Sequence, residues 1–156
     1  MPKCTLLVGV PGSGKSTWLL ENRPKGTATW VASTDNIIQG LADDYGFTYS
    51  DIFTDTIRFA EKAMYSALEY AASCGYDIYV DRTNMTAWSR KRFIEKLKPL
   101  GYEFECVVFP TPEPDEWKRR LDSRPGKTIP QEAIDRMIKG YDTPTEAEGF
   151  SKVTFL

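Results

Sequence analysis

The chain has 156 residues, a net charge of −2 and a sequence pI of about 5.3, with 41% hydrophobic and 27% charged residues. This composition is typical of one globular domain with a hydrophobic core. Histidine is absent, which excludes Ser-His and Cys-His catalysis, HExxH zinc sites and C₂H₂ fingers. Any general base must therefore be a carboxylate, a lysine or a tyrosine.

The cysteine pattern and the hydropathy pattern bear on the compartment. Cys4, Cys74 and Cys106 are widely spaced and form no CxxC pair, so we expect small buried hydrophobic side chains in a reducing environment. The first residues run straight into an apolar strand without a charged leader, and no segment approaches the roughly 20 apolar residues of a membrane span. These features predict a cytoplasmic protein without membrane association.

Strand-like and helix-like runs alternate along the chain, which predicts an α/β domain with a central parallel sheet. The predicted strands cover residues 4–8, 28–32, 77–80, 102–109 and, at the edge, 152–156. The predicted helices cover residues 15–22, 34–41, 51–74, 86–97, 115–123 and 130–139, and Thr34 or Asp35 is a candidate cap of the second helix. Neither repeats nor a second domain are found, so residues 1–156 are predicted to form one domain.

The first turn carries the most specific motif. Gly-Val-Pro-Gly-Ser-Gly-Lys-Ser at residues 9–16 satisfies GxxxxGK[ST] between a strand and a helix, the P-loop pattern. Its backbone N–H groups can cradle phosphate oxygens, while Lys15 reaches the β and γ phosphates and Ser16 offers a hydroxyl to Mg²⁺. The motif predicts a P-loop NTPase fold that binds ATP and Mg²⁺. The predicted nucleotide-binding residues are Gly9, Pro11, Gly12, Ser13, Gly14, Lys15, Ser16 and Thr17.

Polar residues follow the second and third strands, whose carboxyl ends face the nucleotide crevice of such a sheet. Asp35 is a candidate general base for an attacking hydroxyl, or alternatively a helix cap. Asp81 is placed to hold the magnesium shell. Thr83 and Asn84 are predicted either to contact the acceptor or to fix the loop, and Asp-Arg-Thr-Asn is also an ordinary strand-to-helix turn. Arg90, in the next helix, is a candidate phosphate contact, the alternative being a solvated face.

A basic cluster between residues 115 and 130 predicts a helical lid. It contains Lys118, Arg119, Arg120, Arg124 and Lys127. Arg120 and Arg124 are four residues apart and share one helix face if the helix continues. We predict that Arg124, together with Arg120, neutralises charge on the phosphoryl group during transfer.

The ordered set of these features resembles the kinase domain of phage-type 5′-polynucleotide kinases. The matching parts are residues 11–18, Asp35, Thr83-Asn84, the Arg90 region and residues 124–130. The resemblance implies a three-layer P-loop fold and ATP-dependent phosphorylation of a nucleic-acid hydroxyl, with Asp35 as general base and Arg124 on the lid. It also implies a nucleic-acid partner, with DNA favoured over RNA, and a location in the host cytoplasm if the chain is of phage origin.

Two departures concern the acceptor side. Family members carry an arginine three residues after the base, where this chain has Ile38, and their Ser-Asp-Thr-Asn reads Asp81-Arg82-Thr83-Asn84 here. Arg82 is our candidate to replace the missing arginine as a substrate contact. The sequence also resembles phage kinases that phosphorylate hydroxymethyluracil bases within DNA, where an internal base must be flipped or presented in an open groove.

Three functions remain open from the sequence. The first is a kinase acting on a polynucleotide 5′-hydroxyl or a modified DNA base. The second is a small-molecule kinase for a nucleoside, sugar or antibiotic, and the third is a non-enzymatic nucleotide switch. Asp35 and the lid arginines favour catalysis, because a switch needs no base for an acceptor. No obligate protein partner is indicated.

Overall fold

The computed structural model describes residues 1–156. Five strands form one parallel sheet in the order β2-β3-β1-β4-β5. The strands are β1 (Lys3–Val8), β2 (Thr29–Ala32), β3 (Asp77–Asp81), β4 (Glu103–Val108) and β5 (Lys152–Phe155). The predicted parallel sheet and its edge strand are confirmed.

Six helices surround this sheet. They are α1 (Lys15–Asn22), α2 (Thr34–Tyr45), α3 (Tyr49–Ser73), α4 (Ala87–Leu97), α5 (Pro114–Asp122) and α6 (Gln131–Lys139). Short 3₁₀ turns cover Lys98–Leu100 and Glu146–Glu148. None of the helices is both long and apolar enough to span a membrane.

The three-layer arrangement follows from side-chain alternation along the central strand β1, because successive side chains of a strand point to opposite faces. Leu6 and Val8 join the larger core, which includes Met64 of α3 and Phe93 of α4. Leu7 faces the other way, into a smaller cluster with residues of α1 and β4. The predicted α/β three-layer fold is thus confirmed, with helices packed on both faces of the sheet.

Two local predictions are wrong. Ser33 caps α2, because its Oγ accepts a hydrogen bond from the N–H of Asn36 at 3.2 Å. Asp35 is the second residue of α2, within its first turn, and does not cap the helix. Helix α2 continues to Tyr45, where Gly46 ends it in the left-handed conformation (φ 73°). Cys74 is exposed at the end of α3, whereas Cys4 and Cys106 are buried as expected.

Arg90 is a core residue, and its predicted role as a phosphate contact is also wrong. It lies on the buried face of α4 with Phe93, Ile94 and Leu97 and is 0% exposed. Its guanidinium donates to the Asn84 carbonyl and the Asp142 carbonyl, both at 2.9 Å, and forms an ion pair with Glu148 at 2.8 Å. These bonds tie the C-terminal segment to the loop that follows β3.

The tip of the lid segment (residues 114–130) rests on the start of α3. The Ser50 N–H donates to the Gly126 carbonyl at 3.0 Å, and the Thr128 N–H donates to the Ser50 Oγ at 2.8 Å. Gly126 adopts a left-handed conformation (φ 64°), and a Cβ added there would lie 2.7 Å from the Cβ of Thr48. Only glycine therefore allows this close approach.

We expect Arg90→Met to lower the free energy of unfolding by about 3 kcal/mol, because it leaves Glu148 and two buried carbonyls without their partner. Lys91→Met should barely change it, since Lys91 forms only an exposed pair with Glu95. Urea denaturation of the two variants measures the difference. Equal stabilities of both variants would contradict the structural role of Arg90.

We expect Gly126→Ala to separate the lid tip from α3 while leaving global stability nearly unchanged, because the clash is confined to Thr48. Gly26→Ala is the matched control: Gly26 also has a positive φ (75°), but a Cβ there meets nothing within 4 Å. Amide hydrogen exchange should accelerate at residues 123–128 in the first variant alone. Equal exchange in both variants would argue against lid docking at this contact.

Candidate active site

The P-loop has the geometry of a phosphate cradle. Gly12 (φ 78°) and Gly14 (φ 99°) adopt left-handed conformations that turn backbone N–H groups inward. No side chain caps the N-terminus of α1, so its first N–H groups can bind phosphate oxygens. Lys15 Nζ donates to the carbonyls of Gly9 and Val10, both at 2.9 Å. Burial lowers the pKa of Lys15 to about 8, and the opposite charge of Asp81 offsets part of that effect.

Ser16 and Asp81 meet beside this cradle. The Ser16 hydroxyl donates to the Asp81 carboxylate at 3.1 Å. Burial raises the pKa of Asp81, and the bond from Ser16 acts in the opposite direction. Two oxygen donors next to a phosphate site suit Mg²⁺, which binds through few protein ligands and takes the rest from phosphates and water.

Asp35 is held by two side chains from different elements. Its Oδ1 accepts a hydrogen bond from the Tyr49 hydroxyl, and its Oδ2 accepts one from Lys127 Nζ, both at 2.7 Å. Burial acts to raise the pKa of Asp35, but the charge and hydrogen bond of Lys127, with the bond from Tyr49, outweigh it and hold the pKa below its usual range. Burial, followed by the bond to Asp35, raises the pKa of Tyr49, so the phenol stays a proton donor.

Helix α5 of the lid segment rests on the P-loop. Trp117 Nε1 donates to the Pro11 carbonyl at 2.7 Å, and Arg120 Nη1 donates to the Gly12 carbonyl at 3.1 Å. Glu116 holds Arg120 from the other side at 2.8 Å. The arginine predicted to contact the nucleotide is thus placed directly at the phosphate cradle.

One open cleft of about 1220 Å³ joins these parts. It exceeds the roughly 300–1,000 Å³ of an ordinary small-molecule pocket, so it has room for a nucleotide and an acceptor. Most of the residues predicted for the site line the cleft, and the exceptions are Gly9, at the base of the P-loop, Asn84 and Arg90. Those that line it are Pro11, Gly12, Ser13, Gly14, Lys15, Ser16, Thr17, Asp35, Asp81, Arg82, Thr83, Arg120 and Arg124.

Two predicted substrate contacts lie outside the cleft. Asn84 is buried with a left-handed backbone (φ 48°), and its amide donates to the Leu7 carbonyl at 2.8 Å. It therefore fixes the loop, which was the other role the sequence left open. Arg90 bonds to the Asn84 carbonyl from the core, as described above.

Ile38, which stands where phage-type polynucleotide kinases carry an arginine, has a structural role in this chain. Ile38 is fully buried in a cluster with Tyr49 and Ala60, so a charged side chain there would lack solvent. Arg82 lines the cleft and is paired with Glu61 at 3.1 Å. Whether Arg82 replaces the family arginine stays a prediction.

Sequence reasoning assigned no role to three residues that the fold brings to the site. From the sequence, Lys127 is only one charge of the basic cluster, and no pattern marks Tyr49 or Trp117. Their contacts join segments far apart in the chain: Lys127 to Asp35 spans 92 residues and Trp117 to Pro11 spans 106. No local pattern signals such pairs.

A protein-family model matches most of this chain. The AAA domain family AAA_33 matches residues 5–144. Heterogeneous nuclear ribonucleoprotein U-like protein 2 of Mus musculus is 24% identical over 161 aligned residues, which cover 96% of this chain and 21% of the relative. The chain therefore spans about a fifth of the length of the curated relatives it matches.

Solved structures share the fold. The Pnkp1/Rnl/Hen1 RNA repair complex contains a chain with a TM-score of 0.67 and 21% identity, covering 89% of this chain and 43% of that one. Kti12 of Chaetomium thermophilum, solved with ADP-AlF3, has a TM-score of 0.64 and 16% identity, covering 98% and 88% respectively. The chain shares the fold of these two proteins, and the family model that matches residues 5–144 shows that it belongs to the AAA domain family AAA_33.

Proposed function

We propose that this protein moves the γ-phosphoryl group of ATP to a hydroxyl on nucleic acid, with the 5′-hydroxyl of a polynucleotide as the leading acceptor. The observation that carries the proposal is the shared cleft: a phosphate cradle with Lys15 and a carboxylate, Asp35, held by two hydrogen bonds line the same space. A nucleotide-binding switch has no use for a fixed carboxylate opposite its phosphates.

Each residue of the cleft has a role in this reaction. Asp35 orients the acceptor hydroxyl and takes its proton. Lys15 and Arg124, with Arg120, stabilise the negative charge on the transferring group, which is most of what phosphoryl transfer requires of a protein. A Mg²⁺ ion held by Ser16 and Asp81 would neutralise charge on the phosphate oxygens.

The acceptor side favours a ligand that carries a base. Phe53 lies beside Tyr49 with ring centroids 5.6 Å apart and is 39% exposed. Ile57 and Met137 extend this apolar wall along the cleft. Aromatic rings bind nucleic-acid bases by stacking, whereas sugar hydroxyls need polar partners when they are desolvated.

A second candidate is a kinase for hydroxymethyluracil bases in DNA. The buried Ile38 and the pairing of Arg82 with Glu61 favour it, because neither position then offers a free arginine for the backbone phosphate of a strand end. The apolar wall could instead receive a flipped base.

One assay separates the candidates. The protein is incubated with γ-labelled ATP and either a 5′-hydroxyl oligonucleotide or a 5′-phosphorylated duplex containing hydroxymethyluracil. Label on the first alone identifies a polynucleotide kinase, and label on the second alone identifies a DNA-base kinase. If neither is labelled, the nucleic-acid acceptor is wrong and a screen of small hydroxyl compounds follows.

We expect Asp35→Asn to lower turnover about 10²- to 10⁴-fold, the usual contribution of a positioned acid or base, and to leave ATP binding nearly intact. Asp43→Asn is the matched control on the same helix, where Asp43 only accepts a bond from Gln39. Lys15→Ala should weaken both ATP binding and turnover. Steady-state kinetics and ATP titration measure these effects, and wild-type turnover of Asp35→Asn would remove Asp35 as the base.

We expect Phe53→Ala to raise the KM for an oligonucleotide acceptor about tenfold, because stacking contributes roughly 1–3 kcal/mol per base. Phe59→Ala is the control, since Phe59 is exposed on the same helix but does not line the cleft. Acceptor titrations at saturating ATP measure the change. An unchanged KM would show that Phe53 does not bind the acceptor.

A further inference from the structure

Lys127 differs from the other cations of the lid segment in its surroundings. Its side chain is 15% exposed, and its Nζ lies 2.7 Å from Asp35 Oδ2 and 4.2 Å from the centroid of the Tyr49 ring. In contrast, Lys118 and Arg119 are largely exposed and pair only within α5. The lid therefore places one specific ammonium group on the candidate base.

The contacts around Asp35 form a closed ring. Tyr49 of α3 bonds to one carboxylate oxygen and Lys127 of the lid to the other. The next residue of α3, Ser50, bonds to the backbone of Gly126 and Thr128 on both sides of Lys127. The position of Lys127 therefore depends on the lid being docked on α3.

The same short segment reaches the nucleotide side. Arg124 lines the cleft, and the N–H of Lys127 donates to the Arg124 carbonyl at 3.4 Å in a tight turn. Arg124 and Lys127 therefore belong to one turn, so a backbone shift at one of them also shifts the other.

We propose that Lys127 is a positioning residue that fixes Asp35 for the acceptor hydroxyl when the lid segment is docked on α3. The inference rests on the proposed function, because it assigns Asp35 to the acceptor. Each carboxylate oxygen has two lone-pair sites and uses one in these contacts. The remaining sites can accept the hydroxyl while Tyr49 and Lys127 hold the group still.

We expect Lys127→Met to lower kcat/KM for the labelled acceptor about 10²-fold, the scale of a misplaced catalytic group, with ATP affinity changed less than about twofold. Lys127→Arg should restore part of the activity because it keeps the charge. Lys118→Met is the control, an identical substitution on the exposed face of the lid. Gly126→Ala should reproduce the effect of Lys127→Met, since it undocks the lid tip.

The pH dependence of activity distinguishes a role at Asp35 from a purely structural role, which would leave the pH profile unchanged. The charged groups around Asp35 are Lys127 and Arg124 of the lid, Lys15 at the start of α1, Asp81 at the end of β3, and Arg82, with the Tyr49 phenol in contact. Without Lys127, burial is less opposed and the pKa of Asp35 rises. Activity that needs the carboxylate should then be lost at a higher pH as the solution is acidified.

Direct titration of Asp35 by carboxylate NMR, without nucleotide, tests the contact independently of catalysis. The inference is supported if the pKa of Asp35 is higher in Lys127→Met than in the wild type and in Lys118→Met. Equal pKa values of Asp35 in the three proteins overturn it. If Lys127→Met loses activity only with acceptors that carry a phosphate beside the hydroxyl, the inference is also overturned, because Lys127 would then bind the acceptor itself. If neither acceptor is labelled, the proposed function fails, while the titration still decides the role of Lys127.

Discussion

The site depends on the parallel pairing of β1 with β3. This register places Leu7 opposite Asp81, and two further bonds hold the loops that leave both strands: the Asn84 amide donates to the Leu7 carbonyl, and the Gly9 N–H donates to the Thr83 carbonyl. The P-loop and the Asp81 loop therefore form one rigid unit. Ser16 meets Asp81 because the sheet aligns them, and Arg90 secures that loop from the core.

The lid is held far less strongly than this unit. Helix α5 has no buried residue, and its hydrogen bonds to the P-loop are one each from Trp117 and Arg120. Segments with little buried apolar surface open at low free-energy cost. Because this segment contacts both the P-loop and α3, its opening would expose both halves of the cleft together, and the proposed reaction has to admit two substrates and exclude water.

The sequence predicted the layered fold and the position of the P-loop between β1 and α1, because both rest on local patterns: a motif between a strand and a helix, and alternating hydrophobic runs. It was wrong on Arg90, although a usable signal existed. Arg90, Phe93, Ile94 and Leu97 have the spacing of one helix face, so the arginine belonged to the buried side. Its partner Glu148 is 58 residues away and could not be found from the sequence.

The acceptor half combines residues from four parts of the chain: α2, α3, the lid segment and α6. Asp35 is fixed by residues 14 and 92 positions away, and Phe53 and Met137 line the cleft from α3 and α6. A hydroxyl or amide desolvated against this wall without a partner costs about 1–3 kcal/mol, whereas a stacked base contributes a similar amount favourably. An acceptor with several hydroxyls would have to place them on the polar side chains that line the rest of the cleft, whereas in the proposed reaction the planar base contacts Phe53 while one hydroxyl reaches Asp35.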